Sequence, residues 1–217
     1  MSELEMMVAR LRTMGFLKSE QAEKAMLTID RAIFIPNEYK SLAYSDNAFP
    51  IGYGQTISAP TVVSFMLDKL ELKPGMKILE VGTGSGYNAA LISHILGVRG
   101  KLISIEILPQ LYDLAKKNLS KVASLLPNNL TMLCMDGSEG YEKEALYDRI
   151  VITAAMPSLE FNSPFVKQLK KDGKIVAPVG NSWSQNLILY DNKTRTSQRV
   201  LSVMFVPLVG KGGFKPD

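Results

Sequence analysis

The chain has 217 residues, 46% hydrophobic and 21% charged, with a net charge of +4, which fits one well-packed domain with a small appendage. Lys and Arg are interspersed with Asp and Glu, so no block of like charge suggests a nucleic-acid arm. A single cysteine, Cys134, and a single histidine, His94, exclude an internal disulfide and argue against a Cys/His metal site.

Residues 1–12 carry Glu3 and Glu5 and lack the apolar core of a signal peptide, and no run approaches eighteen apolar residues. A cytoplasmic monomer that binds neither membrane nor nucleic acid is therefore expected. Residues 2–14 place Leu4, Met7, Val8 and Leu11 at helical spacing before Gly15. Ser19 can cap a second helix through Ala22, Ala25, Met26 and Ile29. These two helices and the stretch up to residue 60 read as an amino-terminal helical cap with a substrate loop, and residues 61–217 as the core.

Residues 31–60 differ in texture, with Ile33, Phe34, Ile35, Pro36, Tyr39, Tyr44 and Phe49 ahead of a run from Pro50 to Pro60. Ordered loops of this length tend to be binding loops or lids. Pro60 suits the first turn of a helix through Val62, Val63, Phe65, Met66 and Leu70, which leaves Ser58 open to two readings, a helix cap or a functional hydroxyl.

An apolar run then climbs through Ile78 and Leu79 to Glu80, followed by Val81, Gly82, Thr83, Gly84, Ser85, Gly86 and Tyr87 and an apolar segment to residue 96. Strand, tight loop and helix are expected, because the turn needs positive φ and room for a ligand against the backbone. Tyr87 stands where the dinucleotide fingerprint requires its third glycine, which weakens a nicotinamide reading. No lysine lies between Lys77 and Arg99, so the loop is not a Walker loop.

A second apolar run, 101–105, ends in Glu106, ~20 residues past the loop, where doubly wound folds place a carboxylate for ribose hydroxyls. A third, 130–135, ends in Asp136 and Gly137 and is expected to bury Cys134. Residues 148–153 form a fourth strand. Ser163 and Pro164 open a helix to Lys171 that Gly173 closes, and residues 174–179 form a fifth strand. Residues 185–190 and 199–207 read as an antiparallel hairpin. The expected fold is α/β, a Rossmann-like doubly wound, mostly parallel seven-stranded sheet with an antiparallel carboxyl-terminal hairpin.

The series Glu80 to Gly86, Glu106, Asp136 and Gly137 resembles the cofactor site of class I methyltransferases that use S-adenosyl-L-methionine. The run Pro50, Ile51, Gly52, Tyr53, Gly54, Gln55, Thr56, Ile57, Ser58, Ala59, Pro60 closely resembles the signature of the protein-L-isoaspartate O-methyltransferases. Residues 147–150, 153–155, 175–180 and 205–209 are similar to the same family, so the resemblance covers nearly the whole chain. Asn88 departs from the glutamine common after Tyr87, and Met156 from an alanine.

By this resemblance Glu80, Val81 and the loop Gly82, Thr83, Gly84, Ser85, Gly86 lie under the methionine part of the cofactor, and Glu106 holds the ribose. Asp136 accepts from the adenine amino group, with Gly137 beside the ring. Gln55, Thr56, Ile57 and Ser58 cover the reacting end, Ser58 being catalytic. Asp46, Thr56, Ser58, Ala155 and Val209 shape the site for isoaspartyl proteins and peptides, and no metal is implied.

The chemistry agrees with so histidine-poor a chain. A carboxylate of pKa about 4 is already ionised near neutrality and needs no general base. His94 is accordingly expected to pack on the helix after the glycine loop. The rivals are a methyltransferase acting on another carboxylate or on RNA, and a protein that binds a nucleotide-like ligand without chemistry. Cytosine carbon methylation would need a nucleophilic cysteine, which a buried Cys134 would not provide.

Overall fold

The computed structural model describes residues 1–181 and 183–214. Helix α1 (Glu3–Thr13) starts in a capping box, Ser2 accepting from Glu5 N while the Glu5 side chain accepts from Ser2 N. Such reciprocal caps satisfy two donors that the first helical turn leaves free. Helix α2 (Glu20–Thr28) is capped by Ser19. Both helices bury the apolar face that their spacing predicts, Met7, Val8 and Leu11 on one, Ala22, Ala25 and Met26 on the other.

Two short 3₁₀ turns, Arg31–Phe34 and Asn37–Leu42, lead into a two-stranded antiparallel hairpin, β1 (Phe49–Gly52) and β2 (Gln55–Ile57). Helix α3 (Pro60–Leu70) follows with proline at its first position. The core then alternates: β3 (Lys77–Val81), α4 (Tyr87–Leu96), β4 (Lys101–Glu106), α5 (Pro109–Ser120), β5 (Leu130–Cys134), β6 (Tyr147–Ile152), α6 (Pro164–Lys167), β7 (Leu169–Gly180), β8 (Gln185–Asp191) and β9 (Thr196–Val203).

The seven-stranded sheet has the order β5-β4-β3-β6-β7-β8-β9, parallel from β5 to β7 and antiparallel at β7–β8 and β8–β9. This is the expected doubly wound sheet with an antiparallel end. Successive residues of β3 and β4 face opposite sides. Ile78 and Leu102 join the cluster that includes Met7, Leu11, Met26 and Leu67, whereas Leu79, Val81, Ile103 and Ile105 pack with Phe165 and Ile175 on the other face. Helices α1 to α3 thus share one core with the sheet.

Two expectations need correction. The helix foreseen to Lys171 stops at Lys167, and Gly173 lies inside β7. Tyr147 and Leu169 pair across β6–β7, so strand pairing overrides the local helical signal. The apolar run 130–135 does form a strand, but β5 is the sheet edge and Cys134 is exposed. Among the described residues no helix is long and apolar enough to cross a membrane.

Candidate active site

After β5 the chain crosses back to β6 beside β3, so the strand order reverses between β3 and β6, and at the carboxyl ends of β3 and β4 lies a cavity with an empty volume of about 880 Å³. A crevice beyond the carboxyl ends of the strands at such a crossover is where open α/β sheets bind ligands. Gln55, Thr56, Ile57 and Ser58 form one wall and Val81, Gly82, Thr83, Gly84 and Ser85 the floor. Glu106, Gly137, Thr153 and Val209 also line it. Among the described lining residues there is no Lys or Arg, so the cavity offers little to neutralise a phosphate and suits a nucleoside-like ligand of neutral or positive charge.

The glycine loop is fixed from below. Gly82 N and Thr83 N both donate to Ile105 O, at 2.8 and 3.2 Å. Thr153 Oγ1 donates to Gly82 O at 2.6 Å, and a Cβ on Gly82, whose φ is +97°, would lie 2.2 Å from that oxygen. No other residue meets both constraints. Ile51 of β1 reaches over the loop, its Cδ1 3.6 Å from where a Cβ on Gly84 would be, so the small hairpin folds onto the cofactor loop as a lid would.

Glu106 is almost wholly buried, yet its carboxylate borders the cavity. Oε2 accepts from Gly84 N at 2.9 Å and Oε1 from Leu108 N at 3.1 Å. Each oxygen keeps a further lone pair, and a pair of vicinal hydroxyls could use both. Glu80 is different. It is fully buried outside the cavity lining, with Oε1 accepting from Asn88 Nδ2 at 2.8 Å and Oε2 from Ser104 Oγ at 2.5 Å. Ser104 Oγ in turn lies 2.6 Å from Thr83 Oγ1. Burial pushes the Glu80 carboxyl up to about 7, the bonds from Ser104 and Asn88 opposing it and the charge of Glu106 adding to it. Glu80 therefore braces the loop through Thr83 and Asn88.

Ser58 is half-buried on the cavity wall. The cap position of α3 is held by Ala59, which makes no side-chain cap bond. The amino end of the helix is instead served by Asp46, which accepts from Thr61 N at 2.8 Å and Thr61 Oγ1 at 2.5 Å. Asp46 thus positions α3 and does not line the cavity. Ala155 is also off the lining; it fixes the opposite wall, its N donating to Val206 O at 2.8 Å and its O accepting from Leu208 N at 2.7 Å. Gly86 lies outside the lining as the cap of α4, and Asp136 is exposed outside it too.

His94 packs on α4 as expected, Nδ1 3.1 Å from Leu125 O and away from the cavity. Cys134, although exposed, does not line the cavity either, so its correction does not supply a nucleophile there. The sequence alone gives no site role to Tyr87, Asn88, Ser104 or Arg31, nor to Thr83 as a relay. Tyr87 and Arg31 are fully buried with Arg31 Cζ 5.5 Å from the ring centroid, and Tyr87 Oη and Arg31 Nη1 have no partner among the described residues. Polar residues interrupting an apolar strand, as Ser104 does between Ile103 and Ile105, were the available signal.

Residues 2–213 match the family described as Protein-L-isoaspartate(D-aspartate) O-methyltransferase (PCMT). A protein-L-isoaspartate O-methyltransferase of Methanothermobacter thermautotrophicus is 43% identical, with 99% of each chain covered. One of Hyperthermus butylicus is 41% identical over 96% of this chain and 89% of the relative. Among solved structures, a Plasmodium falciparum protein described as a protein-L-isoaspartate O-methyltransferase in complex with S-adenosyl-L-homocysteine superimposes with a TM-score of 0.85 at 25% identity. It covers 96% of this chain and 99% of that one. With the cavity, the glycine loop and the hairpin signature in place, these matches assign the chain to the protein-L-isoaspartate (D-aspartate) O-methyltransferase family.

Proposed function

We propose that the chain is a protein-repair enzyme that methylates the free carboxylate of L-isoaspartyl residues in damaged proteins and peptides, with S-adenosylmethionine as methyl donor. The observation that carries this reading is the placing of Ser58 on the wall of a cavity floored by the glycine loop and Glu106 and lined without Lys or Arg. A nucleoside sulfonium fits that donor set. Glu106 has acceptor capacity for ribose hydroxyls, and the turn from Gly82 to Ser85 allows close backbone approach.

When bound, S-adenosylmethionine supplies an electrophilic methyl group. The chain's own residues do the positioning. Gln55, Thr56, Ile57 and Ser58 cover the reacting end, and the Ser58 hydroxyl donates to the substrate carboxylate to orient it. A carboxylate is ionised near neutrality without a base, so no histidine is required, and His94 is remote. Orientation can contribute up to roughly 7 to 11 kcal/mol. Covering the pair with the β1–β2 hairpin excludes water that would otherwise stabilise the separated charges.

The deciding assay follows tritiated methyl from S-adenosylmethionine to an isoaspartyl peptide, its aspartyl twin and a tRNA. Label in the isoaspartyl peptide alone is expected. Equal labelling of both peptides would sink the substrate assignment, and label in the tRNA alone would favour the nucleic-acid rival.

A further inference from the structure

Beside the cavity the fold holds two large apolar side chains out into solvent. Trp183, the chain's one tryptophan, is 83% exposed and Met204 78%. A single exposed apolar residue is ordinary on a protein surface, but these two stand together on fixed backbone. Asn181 closes the turn between β7 and β8: its N donates to Ser184 O at 3.1 Å, and its Oδ1 accepts from Trp183 N at 2.9 Å and from Ser184 N at 2.8 Å. A Cβ on Gly180 would lie 2.2 Å from Ser184 O, so the turn closes this tightly only after glycine.

The same turn is tied to the cavity wall. Gln185, almost wholly buried, donates through Nε2 to Asn181 O at 2.6 Å and accepts through Oε1 from Phe205 N at 2.8 Å. Gln185 pairs with Val203 across β8–β9, which brings Met204 to the level of the turn. Two residues further on, Val206 begins the cavity wall 206–209. At ~3.3 Å per extended residue Met204 stands roughly 7 Å from that wall, and the turn that carries Trp183 lies one strand spacing, about 5 Å, beyond it.

A protein substrate cannot enter the cavity whole: one residue reaches the methyl donor, and the chain continues outward on both sides. We propose that Trp183 and Met204 are a docking surface for that emerging chain and take an apolar or aromatic side chain roughly three to five extended residues from the isoaspartyl residue. Tryptophan on fixed backbone offers a large contact area at small entropic cost, and methionine adapts to the shape it meets. This surface presupposes the isoaspartyl-polypeptide reading and adds to it a selectivity for flanking sequence.

The test uses the full chain and tryptophan-free isoaspartyl peptides of serine and glycine, with one Phe moved through the six positions on either side of the isoaspartyl residue. In the wild type a Phe three to five residues away on one side is expected to lower KM roughly 5- to 30-fold against the all-polar peptide. The kcat should change little, since the contact is made equally in ground and transition states. With S-adenosylhomocysteine present, the same peptide should shift the Trp183 emission to shorter wavelength as the indole leaves water. Trp183→Ser should remove most of the Phe advantage and Met204→Ser part of it, with S-adenosylhomocysteine affinity retained as the check on folding. Val98→Ser removes an equally exposed apolar side chain between α4 and β4, at the opposite end of the sheet, and should keep the full advantage.

A Phe advantage that survives in both Trp183→Ser and Met204→Ser would overturn the docking surface, as would methylation of every isoaspartyl peptide with the same KM. So would an emission shift that follows protein concentration and not peptide, which would mark the turn as a contact between copies of the chain. A wild type that methylates none of the isoaspartyl peptides would overturn the substrate reading and the docking surface with it.

Discussion

Asp46 and Thr61, fifteen positions apart, are joined by two hydrogen bonds from the backbone and side chain of Thr61 to one carboxylate. The loop that carries Asp46 and the amino end of α3 are therefore one unit, and Ser58 hangs between its two attachment points. Asp46→Ala should lower stability by about 0.5–2 kcal/mol, the range for a lost helix cap. Ser58→Ala should leave the melting temperature nearly unchanged while lowering kcat, with S-adenosylhomocysteine affinity intact. A stability loss in Ser58→Ala at full kcat would return the residue to a structural role.

Glu106 joins the cavity to the glycine loop through Gly84 N. Glu106→Ala should weaken S-adenosylhomocysteine by about 1.5–3 kcal/mol, because it removes the expected ribose partner and frees the loop amide. Calorimetry checks this, and unchanged affinity would reduce Glu106 to a brace for the loop. Turnover at saturating cofactor should change little, since the interaction is made equally in the ground and transition states.

Glu80 carries a pH prediction. Its folded pKa of about 7 lies above the ordinary 4.5, with burial the leading cause. The folded state therefore holds a proton that the unfolded chain has released. The stability this contributes is full below pH 4.5 and is lost as pH rises through about 7. At 1.36 kcal/mol per pKa unit the loss is of the order of 3 kcal/mol. Glu80→Gln keeps the shape and can still accept from Asn88, and it should abolish that decline. Stability measured in urea from pH 4.5 to 8 should show the variant gaining on the wild type as pH rises; parallel curves would contradict the assignment.

Much of this was legible because period and punctuation agreed. Glu80 and Glu106 end apolar runs that become central strands, and Pro60 does start α3. What misled was local signal without tertiary context. Lys170, Lys171 and Asp172 masked the first half of β7, which only its pairing with β6 explains. Leu130 to Cys134 read as buried because an apolar run does not reveal whether its strand lies at the sheet edge. Asp136 Oδ2 accepts from the N–H of Lys211, 75 residues on. Such long-range pairings leave no trace in spacing.

Arg31 offers the last prediction. Its guanidinium is buried beneath the loop that carries Asp46, where Nε donates to Ala43 O at 3.0 Å and Nη2 to Asn47 O at 3.2 Å. Burial pulls its pKa down to about 10, against the attraction of Tyr87 and Asp46, so it remains charged near neutrality. The two carbonyls flank Asp46, which in turn holds α3 behind Ser58, so Arg31 sets the loop's height over the cavity without touching it. Tyr87, whose ring it covers and whose other neighbour is Phe34 at 5.4 Å, lines that cavity. Arg31→Met keeps most of the volume but leaves both carbonyls without this donor, at about 1–3 kcal/mol each if they stay buried. The expected result is a lower melting temperature together with a raised KM for the isoaspartyl peptide, while S-adenosylhomocysteine affinity changes little. Arg31→Lys can retain one of the two bonds and should recover part of both losses. If Arg31→Met lowers stability but leaves the peptide KM unchanged, the loop is held by other contacts and Arg31 serves the core alone.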